Sequence, residues 1–308
     1  MTVLLAGCGD LGTEAGLRIA AAGHRVVGWR RSPEKLPAGI EGAAADLTSG
    51  TLPPVPADTT AVVVAVAADS PTEEAYRAAY VDGLAHVLDA VAASGAPVRR
   101  VLFVSSTAVY GDADGGWVDE GTTPNPGGYS GRTIREAEEL LSRRLDGTGI
   151  APVVLRLGGI YGPGRTRLID QVRGGKAVIP ADSHFTNRIH RDDAAAAIVQ
   201  LCTMDADPAA LYLGVDNEPA ELGEVLRFLA VELGLPEPAP APAESGAGEA
   251  GRSAVGGEAG RTGRREPSRG GNKRVSNALL RGTGFEFEYP SFREGYRAIL
   301  AGVGERHP

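Results

Sequence analysis

Short apolar runs alternate with amphipathic stretches along most of the chain. "TVLLAG" is an apolar run that ends in glycine and reads as a buried strand. Leu17 to Ala22 continues a helix that Gly23 closes. "HRVVGWRR" predicts a second strand and "AVVVAVAA" (Ala61–Ala68) a third. Between Glu73 and Ser94, apolar side chains fall at Tyr76, Tyr80, Leu84, Val87, Leu88 and Val91. That spacing lies on one helical face, and Gly95 follows as a stop. "VRRVLFVSS" and "APVVLRL" are two further strands. Strands alternating with helices of this length predict an α/β fold: a doubly wound parallel sheet of Rossmann type.

After Gly162 the pattern loses its regularity. Leu222, Val225, Leu226, Leu229 and Leu233 form one more amphipathic helix before Gly234. From about Pro236 to Gly271 the composition shifts to Pro, Ala, Gly, Glu and Arg, with a single valine. Such a stretch buries too little apolar surface to offset its ordering entropy, so residues 237–271 are expected to be a disordered loop. The chain therefore divides into a nucleotide-binding domain over 1–160 and a smaller C-terminal substrate domain over 161–308. Segments of the second are expected to return to the first domain's sheet.

Composition narrows the function classes. A hydrophobic fraction of 43% over 308 residues supports a substantial core. A net charge of −8 argues against nucleic-acid partners, which require a basic face. Cys8 and Cys202 form no disulfide framework, and the five histidines show no metal-ligand spacing. No apolar run has the length of a membrane span and the N-terminus lacks a basic leader, so the expectation is a cytoplasmic protein. The expected partner is a small-molecule substrate, with a homodimer as the candidate assembly.

"GCGDLG" places Gly7, Gly9, Asp10, Leu11 and Gly12 directly after a strand and at the opening of a helix. That context is the one a dinucleotide site requires. Gly7 permits the tight turn, Gly9 lets backbone approach the pyrophosphate, and Gly12 allows close packing of helix on strand. The phosphates then meet free N–H groups at the helix start. Where an NAD site carries an acid about 20 residues on, this chain has Arg30 and Arg31. A guanidinium forks onto a 2′-phosphate that a carboxylate would repel, so NADP(H) is favoured over NAD(H). The alternative is two solvated arginines at a strand end. Asp46 and Leu47, in "AADLTSG", are candidate adenine contacts.

Taken in order, "GCGDLG", "AADLTS", "VAVAA", "LFVSSTAVYG", "GRTIREAEELL", "LRLGGIYGPGR" and "NRIHRDDAAAAI" resemble the extended short-chain dehydrogenase/reductases, the NAD-dependent epimerase/dehydratase family. The resemblance covers Val3 to Val199. It implies a Rossmann sheet with a small substrate domain, and chemistry on nucleotide sugars or related carbonyl and hydroxyl compounds. It adds Ala65 and Ala67 to the cofactor residues and makes Ser106 the hydroxyl that orients a substrate oxygen. The family's helix of the form Y-G-x-S-K supplies an acid/base Tyr and a Lys that lowers its pKa. In one register Tyr129 is the acid and Thr133 stands at the lysine place. In the preferred register, anchored on Gly131-Arg132 and Glu136-Ala137-Glu138, Ser130 and Ile134 take the two places and both members are lost. The chain thus resembles an atypical subgroup. Tyr80 and Gly159 also depart from Asn positions of the family pattern.

Thr133 to Glu136 reads locally as a capping box. The candidates for a substitute proton donor are Tyr129, Tyr161, Tyr110, Asp112 and His190. General acid/base help is worth about 10²–10⁴-fold, so its loss weakens catalysis without forbidding it. Tyr161, Arg188 and His190 are candidate substrate contacts: Arg188 either faces an anionic group or is solvated, His190 otherwise packs or hydrogen-bonds at a strand end, and Tyr161 otherwise packs a turn. Asp192 and Asp193 are read as caps of the Ala-rich helix that follows. The leading expectation is an NAD(P)-dependent oxidoreductase or epimerase with a non-standard acid/base. The alternatives are a redox sensor that binds NADP(H) without turnover and a cofactor-stabilised structural protein.

Overall fold

The computed structural model describes residues 1–242 and 271–308. Seven parallel strands form the central sheet, in the order Leu211–Gly214, Ala151–Leu157, Arg100–Ser106, Thr59–Val64, Thr2–Ala6, Arg25–Arg30, Glu41–Ala44. The strand order reverses between Thr2–Ala6 and Thr59–Val64, which opens a crevice at their carboxyl ends. Thr2–Ala6 is buried along its whole length, as a strand covered on both faces must be.

One face of the sheet buries Leu4, Trp29, Val62 and Phe103 under helices Gly83–Ser94 and Tyr129–Leu145. The other buries Leu5, Val63 and Leu155 under helices Asp10–Ala21 and Arg191–Thr203. A third, smaller core gathers Tyr161, Ile169, Val225, Leu229, Phe292 and Tyr296 between helices Arg167–Arg173, Leu222–Glu232 and Phe292–Leu300. Helix Arg191–Thr203 and strand Leu211–Gly214 return from beyond residue 160 to the sheet.

Several local expectations change. The third strand ends at Val64; Ala65 still donates to the Ala6 carbonyl, and Val66 to Ala68 leave the ladder, all four lining the crevice. The helix expected over 73–94 contains a π-helical turn at Arg77–Asp82, a distortion that often marks functional sites. The capping box at Thr133 does not exist. The helix starts four residues earlier at Tyr129, with Gly128 as its N-cap, and Thr133 is buried in its interior. Glu136 forks instead onto Arg77 at 2.7 and 2.8 Å. Of the loop expected over 237–271, residues 243–270 lie outside the described residues. Its described ends are ordered by backbone bonds, against expectation. Ala239–Pro240 pairs with Val178–Ile179, and the Ala241 N–H donates to the Ile179 carbonyl.

Candidate active site

Two recesses open at the carboxyl ends of the strands. The first, about 570 Å³, is lined by Gly7, Cys8, Gly9, Trp29, Arg30, Arg31, Asp46, Leu47 and Ala65–Asp69, among others. The sequence creates it in steps. Gly7 has φ +87°, and a Cβ there would sit 2.6 Å from the Ala65 carbonyl oxygen, so only glycine lets the two strand ends approach. A Cβ on Gly12 would lie 2.9 Å from the Gly7 carbonyl oxygen. A Cβ on Gly9 would meet nothing within 4 Å, so that backbone faces open space. The first-turn N–H groups of helix Asp10–Ala21 have no intrahelical partners and concentrate positive potential there. The Trp29 indole N–H on the recess wall is buried with no hydrogen-bond partner among the described residues. An open glycine cradle and free donors fit a dinucleotide.

Of the expected cofactor residues, Gly7, Gly9, Arg30, Arg31, Asp46, Leu47, Ala65 and Ala67 line this recess. Asp10, Leu11 and Gly12 stand in the helix's first turn and do not. The Asp10 carboxylate turns away. It accepts from Arg165 Nε at 2.9 Å, from Arg191 Nη1 at 3.0 Å and from the His307 N–H at 3.1 Å. Those partners neutralise an acid that would otherwise oppose a pyrophosphate. Arg30 Nη1 donates to the Pro308 carbonyl at 3.1 Å, and Arg31 forks onto Asp69 at 2.7 and 2.8 Å. The Arg31–Asp69 pair is about two-thirds exposed. Exposed pairs contribute about 0–1 kcal/mol, so an incoming phosphate displaces this one at little cost.

The second recess, about 440 Å³, is lined by Ser106, Thr107, Gly158–Tyr161, Arg165, Arg167, His184, Arg188 and Lys273, among others. Ser106 ends its strand, and its Oγ accepts the Ala108 N–H at 3.2 Å, which fixes the hydroxyl at the cavity rim. Arg188 is 4% exposed. Its Nη2 donates to the Thr186 hydroxyl, its guanidinium lies 5.4 Å from the Phe292 ring centroid, and its Nη1 has no partner among the described residues. Among the described residues no carboxylate lines this cavity, although the buried Asp216 feels the Arg188 charge.

The proposed proton donors separate here. Tyr129 does not line the cavity. Its hydroxyl donates to the Pro71 carbonyl at 2.5 Å, and its ring packs edge-on against Tyr76. Ile134, at the lysine place of the preferred register, is buried in the sheet's helix-covered core. Tyr110 is turned inward, donating to the Asp119 carbonyl at 2.7 Å, and burial raises its phenol pKa. Asp112 braces a loop by accepting the Asp114 and Asn272 N–H groups, which hold its carboxyl below the ordinary range. Tyr161 lines the cavity, but burial drives its phenol far above the ordinary value, so it gives up no proton near neutrality. His190 does not line the cavity. It caps helix Arg191–Thr203 by accepting the Asp192 N–H, and burial pushes its imidazole down to about 4. Asp192 and Asp193 lie in that helix's first turn, and Asp193 accepts the Glu288 and Tyr289 N–H groups.

The sequence profile of the NAD dependent epimerase/dehydratase family matches residues 3–213. The chain belongs to that family. It is 30% identical over 265 residues to a 3-diazoavenalumate denitrifying reductase from a Streptomyces species, covering 79% of this chain and 85% of that protein. A second relative, protein YeeZ of Escherichia coli K12, is 38% identical over 122 residues, 40% of this chain. The chain spans only 41% of YeeZ's length. A solved candidate NAD-dependent epimerase/dehydratase from Methylobacillus flagellatus is 36% identical, with a TM-score of 0.73 and 98% coverage of both chains. Family membership agrees with the Rossmann-type sheet and the glycine cradle. Among the described residues, no helix is long and apolar enough to cross a membrane.

The sequence reading missed Arg165, Arg167, His184 and Lys273. Arg165 closes the quoted "LRLGGIYGPGR" without a role having been read for it, and no quoted motif contains Arg167, His184 or Lys273; packing between segments far apart in the chain brings all four to the cavity.

Proposed function

We propose that this chain is an NADP(H)-dependent reductase that acts on a small carbonyl compound bearing an anionic group. The observation that carries the reading is the Arg188 guanidinium. It is buried at the wall of the Ser106 cavity with one nitrogen unpartnered among the described residues; the buried Asp216 carboxylate feels its charge, but no carboxylate among the described residues lines the cavity. A buried donor without a partner costs about 1–3 kcal/mol, more when charged, and a bound carboxylate or phosphate would satisfy it. Ser106 then orients the substrate oxygen. Arg30 and Arg31 favour a 2′-phosphate, and Asp46 and Leu47 border the space for the adenine. When bound, the cofactor supplies a hydride. The Streptomyces relative is named as a reductase, which supports reduction over epimerisation. A sensor without turnover has less use for an anion-accepting cavity beside the cofactor recess.

The test follows loss of reduced-cofactor absorbance with paired probes, 4-carboxybenzaldehyde and benzaldehyde. The carboxylate probe should be consumed with the higher kcat/KM. Arg188→Met should raise its KM about tenfold or more while changing the neutral probe's little, since a charge-assisted bond is worth about 1.5–3 kcal/mol. Equal use of both probes by the parent contradicts the anionic substrate.

A further inference from the structure

The helix beginning at Tyr129 carries no lysine, yet a lysine reaches the Ser106 cavity from the far end of the chain. Of the chain's three lysines, Lys35 and Lys176 are exposed, whereas Lys273 is 1% exposed and lines the cavity. Its Nζ donates to the Gly111 carbonyl at 3.0 Å. Gly111 closes the 3₁₀ turn Thr107–Tyr110 whose N-cap is Ser106, so the ammonium is tied to the other end of the turn that presents the serine.

The placement is built rather than incidental. Gly271 has φ +65°, and a Cβ there would lie 2.2 Å from the Gly111 carbonyl oxygen, so only glycine lets this segment lie on the turn. The Asn272 carbonyl accepts the Ala113 and Gly115 N–H groups, each at 3.0 Å. Asn187 donates to the Lys273 carbonyl at 2.9 Å and accepts the Val275 N–H at 2.8 Å. Three segments distant in sequence thus hold one lysine at a cavity wall. Among the described residues, Asp112 favours its charge, and Arg165, Arg167, His184 and Arg188 line the same cavity.

We infer that Lys273 is the proton donor of this site, standing in for the acid/base pair that the family carries on the helix beginning at Tyr129. The inference rests on the reductase reading above. As a carbonyl carbon gains a hydride, two electrons and one hydrogen, from the reduced dinucleotide, the C–O π bond opens and the oxygen takes a proton from the Lys273 ammonium. The dinucleotide is left oxidised, the substrate leaves as an alcohol, and the neutral amine regains its proton from water. Burial lowers the Lys273 amine to about 8, partly offset by Asp112, so the donor is charged at neutral pH and still yields its proton readily.

Two readouts test this. In the full-length chain without cofactor, labelled with ¹⁵N-lysine, one Nζ resonance should titrate near pH 8, and Lys273→Met should remove it. Nζ resonances that all titrate near the ordinary value of about 10.4 overturn the proposal. In the second readout, with NADPH and 4-carboxybenzaldehyde, the parent's kcat should hold below about pH 8 and fall above it, because the donor must be protonated. Lys273→Met should lower kcat about 10²-fold or more without that limb, with KM for the aldehyde and NADPH affinity by calorimetry nearly unchanged. Lys273→Arg keeps the charge and a donor for Gly111, and should stay folded with the limb absent. A raised KM with kcat intact would make Lys273 an anion ligand and overturn the donor role. A parent that turns over while Lys273→Met keeps its rate overturns the proposal alone. A parent that consumes no NADPH with either probe overturns the reductase reading and the proposal with it.

Discussion

At the residue scale, the glutamates of "REAEELL" have structural work and no catalytic contact. Glu138 is 4% exposed and receives Arg156 through both carboxylate oxygens, at 2.8 and 2.7 Å, and the Ser105 hydroxyl at 2.6 Å. Arg156 also lies 4.8 Å from the Tyr110 ring centroid. This knot ties helix Tyr129–Leu145 to the two strands beneath it. Removing one member of a buried pair strands the other charge, a loss of about 3–5 kcal/mol. Glu138→Ala should therefore lose about that much in urea unfolding, and Glu138→Ala with Arg156→Met should lose less than the two changes summed. A loss under about 1 kcal/mol for Glu138→Ala would show that the pair is not what joins these elements.

At the element scale, helix starts show what a local sequence signal can and cannot carry. The glycine-loop helix was legible because strand, loop and helix follow one another within twenty residues. Thr133-x-x-Glu136 was misread because the same four letters satisfy a capping rule anywhere, and only packing decides. With Thr133 facing the core and Glu136 drawn to Arg77, the chain starts its helix at the extended Gly128 instead. His190 ends the short strand Arg188–His190 and caps the following helix, its ring 3.9 Å from the Tyr289 ring centroid and tilted 39° to it. Its imidazole is pushed down to about 4 by burial, between Asp192, which favours the charge, and Arg191, which opposes it. The unfolded chain protonates this side chain below about 6.5, whereas the folded chain resists until about 4. Stability should therefore fall as pH drops through that window. His190→Asn keeps an acceptor for the Asp192 N–H, so its melting temperature should decline less than the parent's between pH 6.5 and 4. Parallel declines would place the acid sensitivity elsewhere.

At the scale of the whole molecule, the sequence conveyed the layered sheet and the cofactor recess but not the far wall of the substrate cavity. Periodicity reports burial within a segment, and the glycine cradle is contiguous, so both were readable. Arg188 was suspected from its motif, but its burial and its nitrogen left unpartnered among the described residues follow from packing with Thr186 and Phe292. Lys273 lies beyond the low-complexity stretch and gains its position only by docking on Gly111, more than 150 residues away in the chain. The C-terminal residues show the same long reach, since His307 and Pro308 contact Asp10 and Arg30 at the glycine loop.

The central claim is that the recess above Gly7, Gly9, Arg30 and Arg31 holds a 2′-phosphorylated dinucleotide. Calorimetric titration of the intact chain with NADPH and with NADH tests it most directly. NADPH should bind at least about tenfold more tightly, a difference of about 1.4 kcal/mol that a charge-assisted guanidinium–phosphate contact readily supplies. Arg30→Asp should narrow or reverse that ratio by setting a carboxylate against the phosphate. Equal affinities in the parent chain, or a ratio that Arg30→Asp leaves unmoved, would contradict the account.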